Sequence, residues 1–234
     1  MIFDGDLGMA NVDIVMGLRP RYTLADVLTG EIVLEEVVIQ GPQGIDLIPG
    51  GSGVSRIADT SLSQRISLLD DLETLSSAYD FIFIDSGAGI AETVIHLNSV
   101  ADRIVVVTTP EPHAMTDAYA FIKVMNEKHG SIDFDLIVNQ TVSRDQGLKT
   151  ADRISEVARR FLKVNVKLLG TVPFEDTISR VVMNQSMGED IVAHTRAGQA
   201  WNDMAIRLIE MGQKFSDRSW ESLIFPADQG VIRI

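Results

Sequence analysis

Residues 79–89 read Tyr-Asp-Phe-Ile-Phe-Ile-Asp-Ser-Gly-Ala-Gly, an apolar run that ends on a carboxylate and a glycine-rich turn. The run at 81–84 has no polar residue, which predicts a strand buried on both faces, as in parallel sheets. Open α/β sheets bind ligands at the carboxyl ends of such strands, so Asp85 is a candidate for holding magnesium through water. Gly87 and Gly89 would let the backbone turn tightly beside a bulky ligand. Alone, Asp85 is explained equally well as the cap of the next helix.

A pair of carboxylates lies at the start of the chain, which reads Met-Ile-Phe-Asp-Gly-Asp. Two apolar residues before Asp4 predict the end of a buried strand, so we expect the chain to begin in the middle of a fold. Asp4 and Asp6 are two residues apart and would point the same way from an extended strand. Such a pair favours metal or water handling. The alternative is a polar turn followed by a helix cap at Asn11.

The rest of the chain alternates between apolar runs and segments with helical spacing. Further strands are predicted at 45–48, 104–107, 134–138 and 166–172, and helices at 12–16, 24–28, 62–75, 91–98, 116–128, 151–162, 177–183 and 189–211. This alternation predicts an α/β fold with a doubly wound, mostly parallel sheet flanked by helices. The glycine-rich loop at 49–53 is not followed by lysine, so we interpret it as a turn near the site and not as a phosphate loop.

Composition excludes several classes of function. The chain has 234 residues, no cysteine and a net charge of −13. Thiolate metal sites and cysteine nucleophiles are therefore excluded for this sequence, and sequence-independent DNA binding is disfavoured because it needs a basic face. The four histidines show no spacing typical of a zinc site. No apolar run reaches the roughly 18 residues of a membrane span. A cytoplasmic protein is expected.

Six short motifs, taken together and in order, are more specific than any one of them. They are Asp-x-Asp-x-Gly-x-x-Asn-x-Asp, Ile-Pro-Gly-Gly-Ser-Gly, Ile-Asp-Ser-Gly-Ala-Gly-Ile, Val-Thr-Thr-Pro-Glu-Pro, Val-Asn-Gln and Val-Pro-Phe-Glu. This set resembles the MinD/ParA family of deviant Walker ATPases, and within it the flagellar-number regulators FlhG, FleN and YlxH. The resemblance implies a nucleotide-binding domain over residues 1–212, leaving 213–234 as a C-terminal tail. It also implies ATP, Mg²⁺ and attack of water on the γ-phosphate.

The resemblance also implies roles for single residues. In the catalytic and metal-binding part, Asp6 would position the attacking water, with Asp4 as its neighbour, and Asp85 would hold magnesium through water. The implied nucleotide-binding residues are Asn11, Gly87, Gly89, Asn139, Pro173, Phe174 and Glu175. Of these, Asn139 would read the adenine edge, because an amide both donates and accepts hydrogen bonds. A turn-forming role is the alternative for Asn139.

The sequence departs from the family pattern in one place. It contains no Gly-x-x-x-x-Gly-Lys-Ser/Thr loop and no deviant form of that loop. In the family this loop and its strand precede the Asp-x-Asp segment, so the resemblance places them before Met1. The strand would lie centrally, between the strands predicted at 81–84 and 104–107. We expect either a natural protein that starts earlier, a rearranged sheet, or another segment or chain in that place.

Two functions remain open from the sequence. The first is a MinD-like ATPase that acts as a nucleotide-controlled switch for flagellar number or placement, through protein partners and with a homodimer as one assembly. The second is a non-catalytic interaction module that has lost ATP turnover. A division-site regulator is a further alternative in the same family. The tail at 213–234 is expected to pack on its own domain or fray, with partner binding or contact with the inner membrane face as alternatives.

Overall fold

We describe a computed structural model of the chain, which covers in detail residues 1–6, 9–51, 71, 74–99, 101–130, 133–183 and 194–211. These residues fall into two compact units that divide between Ala101 and Asp102. Each unit has its own sheet and its own apolar core.

The sheet of the first unit has four strands in the order β2-β3-β1-β4. They are β1 (Ile2–Gly5), β2 (Ile39–Gln40), β3 (Asp46–Ile48) and β4 (Phe83–Ser86). Strand β1 is parallel to both β3 and β4, and only the short β2 runs antiparallel to its neighbour. In the β1–β4 register Asp4 is opposite Asp85, so the two carboxylates predicted from separate motifs lie side by side.

Helices cover this sheet because their apolar residues need a common core. They are α1 (Val12–Val15), α2 (Leu24–Leu28), α3 (Leu34–Val37) and α4 (Glu92–Ser99). A capping box formed by Thr23 and Asp26 starts α2. Leu24, Leu34 and Leu97 of these helices pack with strand residues in one buried cluster. Phe3, which precedes Asp4, belongs to this cluster, and Ile84, which precedes Asp85, packs against it.

The sheet of the second unit has three parallel strands in the order β5-β6-β7. They are β5 (Ile104–Thr108), β6 (Phe134–Thr141) and β7 (Val166–Pro173). The helices are α5 (Pro112–His129), α6 (Arg144–Val157), α7 (Asp176–Met183) and α8 (Arg196–Met211), and α6 continues as a π-helical turn, Ala158–Leu162. Leu169 and Val172 of β7 pack against Ala197 and Met204 of α8.

The predicted α/β class with parallel strands and flanking helices is confirmed, but the described strands form two sheets instead of one. The prediction that 81–84 is a strand buried on both faces is wrong. Strand β4 starts at Phe83, whose side chain is 54% exposed, and it includes Asp85. Val107 of β5 is likewise 59% exposed. Both strands lie at an edge of their own sheet, where only one side has a neighbour among the described strands.

Other boundaries differ by a few residues. Strand β6 extends to Thr141, so Asn139 lies inside the strand and not after it. Helix α6 begins at Arg144, earlier than predicted, because the Ser143 side chain accepts a hydrogen bond from the Gln146 N–H and caps its first turn. Most of the predicted helix at 62–75, the start of the one at 189–211, and the tail at 213–234 lie outside the described residues. Among the helices described, none is long and apolar enough to cross a membrane.

Candidate functional site

The carboxylate of Asp4 is almost completely buried, with 1% of the residue exposed. It accepts three backbone N–H hydrogen bonds, at 3.2, 3.0 and 3.1 Å, from Asp6, Asn11 and Val12. The last two N–H groups belong to the start of α1. Asp4 therefore binds the amino terminus of that helix and fixes the path of the chain that leaves β1.

This arrangement corrects the sequence-based alternative for Asn11. Asn11 occupies the cap position of α1, but its side chain makes no capping hydrogen bond, and the capping oxygen comes from Asp4. Burial raises the pKa of Asp4, while its three backbone hydrogen bonds act in the opposite direction by stabilising the charged form. Sequence spacing could not reveal this contact, because it depends on how the segment after β1 returns to the strand.

Asp6 and Gly87, predicted from two different motifs, lie next to each other. A Cβ atom added to Gly87 would be 3.2 Å from Cγ of Asp6 and 3.3 Å from each of its carboxylate oxygens. Oδ1 of Asp6 also accepts a hydrogen bond of 3.0 Å from the Met9 N–H. Glycine at position 87 thus leaves space for the Asp6 carboxylate at the end of β4.

Asp85 completes a cluster of three carboxylates at the carboxyl ends of β1 and β4. Its side chain is exposed, and it lies opposite Asp4 in the register. Partial desolvation raises the pKa of Asp85, and the negative charges of Asp4 and Asp6 raise it further. A concentration of negative charge that disfavours ionisation is relieved by a divalent cation.

The cluster fits magnesium held through water better than a metal held in a protein cage. The described residues contain no group of three or more His, Cys, Asp or Glu side chains placed to ligate one metal ion directly. Magnesium usually keeps several waters and takes one or two carboxylates together with phosphate oxygens. This preference is met by one exposed carboxylate, Asp85, with two further carboxylates beside it.

The loop after β3 lies against the same strand end. A Cβ atom on Gly50 would be 2.6 Å from the backbone oxygen of Asp4, and one on Gly51 would be 2.4 Å from Oγ1 of Thr23. Gly51 also has a φ of 77°, which favours glycine. Gly50 lies beside the strand end that carries Asp4, as expected for a loop near the site, and residues 52 and 53 lie outside the described part. At the other predicted turn, Gly89 has a φ of 99° and open space around it.

The second unit contains the residues predicted to contact the base. Oδ1 of Asn139 accepts a hydrogen bond of 2.8 Å from the Gln140 N–H, and Gln140 has a left-handed φ of 54°. The register between β6 and β7 shifts here, between Val138 and Thr141. Asn139 therefore stabilises, with its oxygen, an irregularity within β6, which continues to Thr141, so its role is structural but the chain does not turn there. That bond involves Oδ1 and not the amide NH₂, whose donors base recognition would use.

The residues Pro173, Phe174 and Glu175 continue from the end of β7. The Phe174 N–H donates to the Thr141 carbonyl at 3.0 Å, and the Phe174 ring is 50% exposed. Oε1 of Glu175 accepts from the backbone N–H of Arg196 at 3.0 Å and from its Nε at 3.1 Å, which anchors the start of α8. Sequence reasoning did not find Arg196, because its partner lies 21 positions away.

A cavity of about 390 Å³ lies beside this segment, between the start of α6, strand β7 and helix α8. Its lining includes Pro173 and three arginines, Arg144, Arg196 and Arg207. The Arg207 guanidinium donates to the Leu169 carbonyl, so one of these cations is engaged with the sheet. Asn139 is not part of the lining.

Comparison with known proteins gives the family of the chain. Residues 17–221 match the family described as 4Fe-4S iron sulfur cluster binding proteins, NifH/frxC family. Antiactivator FleN of Pseudomonas aeruginosa is 32% identical over 205 residues, covering 88% of this chain and 73% of FleN. Flagellum site-determining protein YlxH of Helicobacter pylori is 32% identical over 209 residues, covering 89% of this chain and 70% of YlxH. The chain belongs to the MinD/ParA family.

Solved structures of MinD/ParA proteins share the fold. The cell division ATPase MinD of Pyrococcus furiosus has a TM-score of 0.70 at 22% identity, covering 90% of this chain and 86% of that one. MinD of Pyrococcus horikoshii complexed with Mg-ADP has a TM-score of 0.71 at 23% identity, covering 90% and 83%. Iron–sulfur clusters of the kind in the family description are held by cysteine thiolates. This sequence supplies none, because it has no cysteine.

Proposed function

We propose that this chain is a MinD-like, Mg·ATP-dependent switch that regulates flagellar number or placement through protein partners. The observation that carries the proposal is the cluster of Asp4, Asp6 and Asp85 at adjacent strand ends in a member of an ATPase family. The 32% identity to FleN and YlxH supports the flagellar assignment, and division-site placement is the alternative within the family, where a putative septum site-determining protein MinD of Guillardia theta is 31% identical. The lack of cysteine in the sequence given is in keeping with the cytoplasmic location that we propose.

In this proposal the three carboxylates have different tasks. Asp85, the exposed member, would hold Mg²⁺ through water, and Asp6 would orient the attacking water from its place beside Gly87. Asp4 would act as a positioning residue, because its carboxylate is already occupied by three backbone N–H groups. When bound, the magnesium ion would neutralise charge on the phosphate oxygens.

The remaining proposed contacts are with the nucleotide. The NH₂ group of Asn139 would donate to the adenine edge, and the exposed Phe174 ring, between Pro173 and Glu175, would offer an apolar surface to the base. Gly87 and Gly89 would let the backbone move close to the phosphates. Asn11, exposed at the start of α1, is the proposed polar contact from that helix.

A non-catalytic interaction module is the second candidate. The observation that favours it is that Asp4 and Asn139 both have structural roles in the fold, Asp4 as a helix cap and Asn139 at the irregularity within β6. Those roles would keep these residues in place without any nucleotide.

Titration with a fluorescent ATP analogue, with Mg²⁺ or with EDTA, separates the two candidates. We expect binding that requires Mg²⁺ and weakens about tenfold or more in Asp85→Asn, the size typical of lost metal-site contacts. Asp145→Asn is the matched control, since Asp145 is an exposed carboxylate paired with Lys149 on α6. Absence of a Mg²⁺-dependent signal in this polypeptide would contradict the switch and favour the module.

A second pair of variants tests Asn139 separately. Asn139→Asp keeps the oxygen that accepts from the Gln140 N–H but removes the NH₂ donors, whereas Asn139→Ala removes both. If Asn139 reads adenine, both variants lose affinity for the ATP analogue. If it only stabilises the irregularity within β6, Asn139→Asp binds as the unmodified chain does.

A further inference from the structure

A second surface of the chain has an unusual composition. At the end of α6 and along the π-helical turn, exposed apolar and basic side chains alternate. Phe161 is 65% exposed and Val157 is 39% exposed. We define the basic–aromatic patch by these two residues and four cations, Arg153, Arg159, Arg160 and Lys163.

The fold explains why these side chains point outward. Helix α6 buries Ala151, Ile154 and Ala158 against the sheet, which leaves the positions between them to face solvent. The helix then widens into the π-helical turn and ends at Lys163, which has a left-handed φ of 59°. Val164, the next residue, is buried again, so the patch is confined to the protruding end of the helix.

Local contacts keep the aromatic ring and the cations together. The Arg160 guanidinium carbon lies 5.3 Å from the centroid of the Phe161 ring, a cation–π distance. The Lys163 ammonium donates to the Arg160 carbonyl at 3.2 Å. The Phe161 ring and two of the four cations, Arg160 and Lys163, are therefore held together before any partner arrives.

The charges of the patch are available for binding. Among residues 153–163 four are basic and only Glu156 is acidic, although the whole chain carries a net charge of −13. Across the described part of the chain, the ion pairs formed involve other cations, and none includes Arg153, Arg159, Arg160 or Lys163. Exposed aromatic and arginine side chains are the residue types enriched at protein interfaces.

We propose that the basic–aromatic patch is a docking surface for an acidic segment of a partner protein. Such a segment would set an apolar side chain on Phe161 and Val157 and place carboxylates against the surrounding arginines. Arginine pairs with carboxylate through two parallel hydrogen bonds, which gives the contact both strength and orientation.

The charge distribution favours a protein segment over a membrane. An anionic bilayer presents a broad negative plane, which would also lie against the exposed carboxylate of Asp152, outside residues 153–163. A narrow peptide contacts the patch alone. Only one aromatic side chain is available to insert into lipid here, whereas a peptide interface needs a single apolar anchor ringed by polar contacts.

This surface gives the proposed switch a place to contact its partners, and its biological use rests on that function. The patch itself contains none of the proposed nucleotide-binding residues. A peptide-binding assay without nucleotide can therefore fail while the Mg·ATP proposal stands. Likewise, peptide binding can be observed even if Mg²⁺-dependent binding of the ATP analogue is not.

The test is fluorescence anisotropy with a labelled peptide of about 16 residues that carries Glu and Asp on one helical face and Leu at helical spacing on the other. We expect saturable binding by the full chain that weakens as NaCl rises from about 50 to about 200 mM. Phe161→Ala and the double variant Arg159→Glu/Arg160→Glu should each weaken it about tenfold, the effect of losing one interface anchor. These side chains are exposed, so unchanged circular dichroism and melting temperature will verify that the variants are folded.

The matched control is Arg180→Glu/Met183→Ala on α7, which removes an exposed cation and a methionine that is 83% exposed. It should bind the peptide within about twofold of the unmodified chain. A charge-inverted peptide with Lys in place of Glu and Asp should not bind. Equal binding by the patch variants, or no binding by the unmodified chain, would overturn the proposal. Tighter association with vesicles of about 30% phosphatidylserine than with the peptide would overturn it in favour of a membrane.

Discussion

At the scale of the residue, the carboxylate cluster divides into one structural and two accessible members. Asp4 is buried and satisfied by backbone N–H groups, whereas Asp85 is exposed and destabilised as an anion by its neighbours. Identical side chains at equivalent strand ends therefore have different chemistry. Desolvation raises the pKa of both carboxyl groups, but three N–H donors oppose that shift at Asp4, whereas the charges of Asp4 and Asp6 add to it at Asp85.

Asp4→Asn should destabilise the chain by about 1–3 kcal/mol, because an amide offers one acceptor oxygen and turns a donor towards the N–H groups that Asp4 now satisfies. Denaturant unfolding followed by circular dichroism measures this loss. Asp13→Asn in the first turn of α1 is the control, and it should cost no more than about 1 kcal/mol, because it weakens a helix-dipole contact while relieving the repulsion between Asp13 and Asp4. Equal losses in both variants would show that Asp4 has no special capping role.

Asp85→Asn should stabilise the chain when metal and nucleotide are absent. The folded state raises the pKa of Asp85 above its usual value, so it keeps the proton to higher pH than the unfolded chain does. The resulting penalty is full at neutral pH and vanishes as pH falls below the unfolded pKa of about 4.

The gain in melting temperature from Asp85→Asn should thus be largest near pH 7 and shrink towards about pH 4. Thermal melts in EDTA across this range measure it, with Asp145→Asn as the exposed control. A gain that is independent of pH would contradict the explanation that desolvation and the neighbouring charges destabilise the ionised form of Asp85.

At the scale of the element, the main feature is how closely helix α4 packs against β1 and β4, the strands that carry the carboxylates. Leu97 of α4 is buried against Gly5, where an added Cβ would be only 2.2 Å from Cδ2 of that leucine. The α4 residue Asn98 donates to Oγ of Ser86 at 3.0 Å, which ties the same helix to β4. Gly5 is therefore needed for close approach, and not for an unusual backbone angle.

Gly5→Ala should cost about 1–3 kcal/mol, the usual effect of overpacking a filled core. Replacing Leu97 by the smaller Val should make room for the new methyl group. In the Leu97→Val background, the cost of Gly5→Ala should accordingly fall, and a double-mutant cycle from denaturant unfolding measures that coupling. Additive costs would mean that the two residues do not oppose each other.

At the scale of the whole molecule, charge is the dominant feature. The net charge of −13 means that acidic groups repel one another in the compact state, and the basic–aromatic patch is a local exception. Each of the two units has its own core. Because the net stability of a domain is small, repulsion between acidic groups is a significant part of it.

Raising NaCl from about 20 to about 300 mM should therefore increase the melting temperature, because salt screens the repulsion between exposed carboxylates. Differential scanning calorimetry measures the shift. Choline chloride at the same ionic strength should give the same increase, which distinguishes screening from binding of sodium. A melting temperature that falls with salt would indicate that attractive ion pairs outweigh the net charge.

Local patterns of side chains were enough to identify the class of fold and the positions of the polar strand ends. Alternating apolar runs and helical spacing identified parallel strands with helices between them, and the strands at Asp4, Asp85 and Asn139 were all found. These features are local, because apolar side chains recur every two residues along a strand and about every 3.6 residues along a helix, and this spacing can be read from neighbouring residues. The order of the motifs also carried the family resemblance.

Contacts between segments distant in the chain set which of these residues are accessible. It turned Asp4 inward to cap α1, left Asp85 exposed, and joined Glu175 to Arg196. It also left Phe83 exposed at a sheet edge, although its apolar run predicts burial. The physical reason is that the burial of a side chain and its hydrogen-bond partners depend on segments distant in sequence. The residues next to it in sequence do not specify which segments those are.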